Sequence, residues 1–128
     1  MSQAKSIYLV LLTWLSTSLV TIQPAQAEII ACSSLVVPGQ TFTAHHIFAG
    51  DPNLFTDTLR IVTISGQAWR GTFGSSNEPV NGIISGSSFT MRRQQASQTW
   101  SGTCFDQGIS GNTRGNGRSD TGTFVLKP

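Results

Sequence analysis

From residue 28 onward the chain alternates between apolar and polar positions over short stretches. Each stretch ends in Gly, Pro, Asn, Asp or Ser. A period of two predicts strands with one buried face, and the interruptions predict turns. Strands are expected at residues 29–37, stopped by Pro38-Gly39, and at 40–48, with Phe42, Ala44, His46 and Phe48 on one face. A loop over residues 49–53 leads to a strand at 58–64. Residues 67–73 follow, with Trp69, Gly71 and Phe73 facing one way, and then a polar loop over 74–79. Further strands are expected at 80–85, at 87–93 with Phe89 and Met91 inward and Thr90 and Arg92 outward, and at 98–105 with Trp100, Gly102 and Cys104 sharing a face. Residues 109–113 and 121–126 complete the series, joined by a turn over 114–118 that contains the hairpin-forming pair Asn116-Gly117.

One internal echo runs through this pattern. Gln67-Ala68-Trp69-Arg70-Gly71-Thr72-Phe73 matches Gln98-Thr99-Trp100-Ser101-Gly102-Thr103-Cys104, 31 residues later. Two copies are too few for a solenoid or a propeller and suit a repeated hairpin in one sheet. Consecutive short strands favour a meander, and a meander of about eight strands tends to close on itself. The expected fold is therefore all-β, a small antiparallel up-and-down barrel, with a two-sheet β-sandwich as the alternative. The Trp-x-Gly strands resemble those of avidin-type and lipocalin-type barrels over a few residues each. The chain beyond residue 27 lacks the tyrosine and the dense tryptophans of avidin-type pockets, so no family is assigned on that likeness.

The first 27 residues have a different character. Lys5 precedes an apolar run over residues 7–22, Pro24 breaks it, and Ala25-Gln26-Ala27 supplies small residues at the positions a signal peptidase reads. This predicts a secretory leader over residues 1–27, cleaved before Glu28, and one barrel domain over 28–128. The run is too short and too rich in Ser and Thr for a stable membrane anchor. An exported chain meets an oxidising compartment, so Cys32 and Cys104 are expected to pair. The alternative is a lipidated Cys32, because Ile29-Ile30-Ala31-Cys32 loosely fits a lipidation box.

Composition narrows the chemistry. The 128 residues are 38% hydrophobic and 11% charged, which excludes a disordered polymer. Without the leader, seven bases face six acids, a net charge of +1. That balance, with export, argues against a nucleic-acid partner. His45 and His46 are neighbours on a strand and point to opposite faces, so no shared metal is expected, and no cofactor is implied. The carboxylates Glu28, Asp51, Asp57, Glu78, Asp106 and Asp120 are expected in loops, at termini or at a strand border. None is expected on an inward position. Gly-x-Ser-x-Gly is absent. The Gly-rich segment 111–118 precedes no helix pattern and so reads as a turn, not a phosphate cradle.

Three groups of candidate residues remain. Trp69, Phe89, Met91 and Trp100 either line a ligand or fill the core. Arg92, Arg93, Arg114 and Arg118 are candidates for an anionic-ligand patch. Cys32 and Cys104 are the disulfide. The function expected is a secreted or periplasmic binding module for a protein partner or a small apolar ligand. The alternatives are an extracytoplasmic hydrolase using His46 with Ser and carboxylate groups, or a structural component of an envelope or matrix.

Overall fold

The computed structural model describes residues 27–117 and 120–128. The expected leader, apart from Ala27, and Arg118 lie outside the described residues. Eight antiparallel strands form a closed barrel in simple sequence order: β1 Thr41–Phe48, β2 Asp51–Ser65, β3 Ala68–Phe73, β4 Glu78–Ser85, β5 Ser88–Arg93, β6 Gln98–Phe105, β7 Gly108–Arg114 and β8 Gly122–Lys127. β1 pairs with β8 from Thr43 opposite Lys127 to Phe48 opposite Gly122, so the meander has no free outer strand.

Two expected elements are corrected. Residues 29–37 are not a strand. Ile29 makes an isolated bridge to Phe105, and Cys32–Ser34 form a 3-10 turn. With the barrel already closed, this segment has no edge to join, and it lies across one end instead. Its backbone is tied there: Ile30 donates to the Cys104 carbonyl at 3.0 Å and Cys32 to the Gly86 carbonyl at 2.8 Å. The Cys32–Cys104 disulfide fixes it covalently, and both half-cystines are fully buried. The second correction is the expected loop over 49–53. β2 begins at Asp51 and runs through Pro52, because β1 continues beside it to Phe48. The Asp51 carboxylate accepts the Asn53 amide at 3.0 Å, a bond the strand ladder does not supply.

The two ends of the barrel differ. At the closed end, under the disulfide, β2–β3, β4–β5 and β6–β7 join through two residues each. Gly66 and Gly86 open two of these turns with φ of 63° and 56°, the left-handed backbone that a tight hairpin requires at its first position. At the open end the β3–β4 and β5–β6 loops have four residues and close with Asn77 and Ser97 at positive φ. β1 starts and β8 finishes at the closed end, and Ala27 and Lys127 border the same surface depression there.

Side chains fill the interior. Phe42, Ala44, Leu59, Ile61, Trp69, Phe73, Phe89, Met91, Trp100, Phe124 and Leu126 are buried, as their alternation requires. Glycines face bulky neighbours across the strands: Gly82 lies opposite both Trp69 and Met91, and Gly102 lies opposite Phe89. A Cβ on Gly82 would strike the Thr90 carbonyl and the Trp69 indole nitrogen. This large-against-small pairing lets rings stack along the barrel. Trp69 stacks on Phe89 at 5.5 Å, Phe89 meets Phe124 at 6.4 Å, and Phe124 meets Trp100 at 4.8 Å.

Candidate functional site

The row of rings ends in polar groups at the open end. His46 lies on the inward face of β1 and is only 3% exposed. Its ring is surrounded by Trp100 at 5.0 Å, Phe48 at 5.3 Å, Phe55 at 5.5 Å and Phe73 at 6.0 Å. Nε2 lies 2.9 Å from the Asp57 carboxylate, while Nδ1 is buried with no partner among the described residues. The neutral ring therefore carries its proton on Nε2 and donates it to Asp57. A second proton would sit on Nδ1, against aromatic carbon with no acceptor. Burial accordingly lowers the His46 pKa below its ordinary value. The Asp57 bond and charge oppose that shift, and the positive charge of Arg93 adds to it.

A second network lies beside the histidine. Arg93 grips the Glu78 carboxylate through Nη2 at 2.8 Å and Nε at 3.2 Å. Its Nη1 donates to Gln98 Oε1 at 3.0 Å, and its guanidinium lies 4.5 Å over the Phe73 ring. Gln98 Oε1 also accepts the Trp100 indole N–H at 3.1 Å, and Gln98 Nε2 donates to Asp120 at 3.0 Å. Three strands, β4 to β6, and the β7–β8 loop are thus linked by side chains whose polar groups satisfy one another, with Phe73 of β3 against the guanidinium.

Two carboxylates expected away from the interior, Asp57 and Glu78, take inward positions. Glu78 falls within the expected loop over 74–79, but it opens β4 and shares the parity of Val80, Gly82 and Ile84. Extending the alternation one step outward finds it. The same step places Arg93 with Phe89 and Met91, and Gln98 with Trp100. Of the four arginines considered as a patch, Arg92 and Arg114 are exposed on the outer wall, Arg93 is turned inward onto Glu78, and Arg118 is outside the described residues. Trp69, Phe89, Met91 and Trp100 are all buried in the barrel interior. No protein-family model, curated protein or solved structure matches the chain.

For chemistry, the His46–Asp57 pair has the form of a base and its orienting acid, but no hydroxyl among the described residues bonds to Nδ1. His45 points to the other face, with Thr56 Oγ1 at 3.4 Å from its Nδ1. Among the described residues, no group of three or more His, Cys, Asp or Glu is placed to hold a metal ion.

The open end also carries an overhang. Residues 51–57 of β2 pair with β1, whereas pairing with β3 starts at Leu59 opposite Phe73. Among the described residues, the other edge of that segment pairs with no strand. Leu54 is 57% exposed and Phe55 38%, with Ile47 of β1 also exposed nearby. This combines an unpaired backbone edge with apolar side chains, and the expected loop over 49–53 had concealed it.

Proposed function

We propose that the protein is an exported interaction module that meets a protein partner with the overhanging β1–β2 hairpin. The leader pattern and the buried disulfide support an extracytoplasmic location, because such a bond persists in an oxidising compartment. The filled interior carries the choice of partner. Rings and methyl groups occupy the space in which a hollow barrel would hold a small apolar molecule. The overhang offers what a protein partner uses, a free strand edge for backbone pairing and apolar side chains for specificity. A hydrolytic role is less well supported, since the imidazole is enclosed and its free nitrogen faces no hydroxyl.

The test places a photo-crosslinking residue at Leu54 and, as a control, at Ser85 on the outer face of β4. The expected result is one discrete protein adduct from position 54 in the native compartment, and none from 85. Leu54→Asp should abolish the adduct from a crosslinker placed at exposed Ile47 while leaving the melting temperature unchanged. A small apolar molecule released on unfolding natively isolated protein would overturn the reading.

A further inference from the structure

We propose that the outer wall carries a docking track for a linear acidic polysaccharide, formed by Arg70, Arg92 and Arg114 with Asn81 and Thr99 between them. This site lies away from the overhang and does not depend on it. The strand registers put the five residues side by side. Arg70 is opposite Asn81, Asn81 opposite Arg92, Arg92 opposite Thr99, and Thr99 opposite Arg114. One cross-strand row therefore crosses β3 to β7 with an arginine on every second strand. Strands lie about 4.8 Å apart, so successive arginine backbones stand about 10 Å apart along the surface, and the row winds for about 20 Å around the curved wall of the closed barrel, from the third strand to the seventh of eight. All three arginines are exposed, and among the described residues none is in an ion pair.

Charge is sorted by direction in this part of the barrel. Outward positions of β3 to β7 hold these three arginines and no carboxylate. The acid within these strands, Glu78, points inward and is neutralised by Arg93. The other acids lie towards the ends: Glu28 and Asp106 at the closed one, Asp51, Asp57 and Asp120 near the open one. The chain's net charge of +2 therefore conceals a one-signed wall. The wall is also shaped. Arg70, Asn81 and Arg92 border one shallow depression and Thr99 and Arg114 the next, so the row passes from one into the other.

The occupant follows from the spacing. A guanidinium binds a carboxylate or sulfate through paired N–H groups, and Asn and Thr both donate to and accept from hydroxyls. The alternation Arg, Asn, Arg, Thr, Arg matches a polymer whose anionic groups are separated by neutral hydroxylated units. An acidic polysaccharide charged on alternate sugars has that chemistry. A nucleic acid sets its phosphates closer, about 3.4 Å of rise per nucleotide in a duplex strand. Single strands are also held by stacking on aromatic rings, and the row contains none. A bilayer would require a cluster of apolar side chains to insert; the row itself has none, and the large exposed ones in the depression beside it are Val62 and Ile83.

Isothermal titration of the disulfide-bonded protein with oligosaccharides of hyaluronan, charged on alternate sugars, and of chondroitin sulfate, charged on every sugar, tests the track. The expected result is binding of hyaluronan, weakening as salt is raised; binding of chondroitin sulfate alone would overturn the match to alternate charges. The triple variant Arg70→Ala, Arg92→Ala, Arg114→Ala should bind about tenfold or more weakly, because it loses three charge-assisted contacts. Its melting temperature should not change. Arg60→Ala, an exposed arginine outside the row, should bind as the parent does. Binding of neither oligosaccharide, equal binding by the triple variant, or tighter binding of oligothymidylate or phosphatidylglycerol vesicles would each overturn the proposal.

Discussion

Cys32 and His46 sit at opposite ends of one interior, and each is almost wholly enclosed. Around Cys32 the enclosure is apolar and covalent: Val36, Ile109 and Leu126 are buried in the same core, and the disulfide pins the crossing segment to β6. Around His46 the aromatic rings are bordered by a polar and directional network, with Asp57, Glu78, Arg93, Gln98 and Asp120 held by individual hydrogen bonds. Apolar contact depends on volume and tolerates small changes of angle. A buried polar network depends on each partner, because a group left alone carries its full desolvation penalty. The closed end should therefore tolerate swaps that conserve volume, while the open end should resist even conservative ones.

The largest effect should come from cutting the covalent tie. Replacing both half-cystines with serine frees a loop of about 72 residues, which the chain-entropy model values at about 4 kcal/mol. Urea unfolding should show that loss, and a change below about 1 kcal/mol would mean that the crossing segment holds its place without the bond. Next comes Trp69→Ala near the closed end, expected to cost about 3–5 kcal/mol through the cavity it leaves.

The open end provides the sharper contrast. Arg93→Ala strands the Glu78 carboxylate and should cost about 2–4 kcal/mol, whereas Arg92→Ala, one residue away and exposed, should fall within about 0.5 kcal/mol of the parent. Replacing the pair together, Glu78→Leu with Arg93→Met, should cost less than Arg93→Ala alone. Equal losses from Arg92 and Arg93 would remove the distinction between wall and interior.

The smallest effect is the pH response of His46. Its folded pKa is lowered by burial, so below about 6.5 the unfolded chain takes up more protons than the folded one. Stability should be highest above that pH and decline as pH falls from there to the lowered value, with no further contribution from this group below it. His46→Phe should flatten this part of the profile in denaturant titrations at stepped pH.

Much of this architecture is visible in the alternation itself. Trp69, Phe73, Phe89, Trp100 and Phe124 announce their inward face because nothing polar interrupts their parity, and the number of short strands implies closure. The polar end is harder to read because composition and parity disagree there. Glu78, Arg93 and Gln98 look like surface residues, yet their positions continue the buried face of each strand. Only knowledge that the three strands converge reveals that the charges can satisfy one another. The overhang is hidden for a different reason. Pro52 and Asn53 carry turn chemistry, and a neighbouring strand together with the Asp51 side chain overrides it. Residues 29–37 read as a strand because local propensity says nothing about whether an edge is free to receive one.

Because β1 begins and β8 finishes at the same end, the chain leaves the barrel where it entered. A tag, surface linkage or fusion after Pro128 therefore orients the histidine-bearing mouth away from the support. A short linker from residue 128 to residue 28, with new termini cut into the Gly115–Thr121 connection, should yield a circular permutant with every strand neighbour preserved.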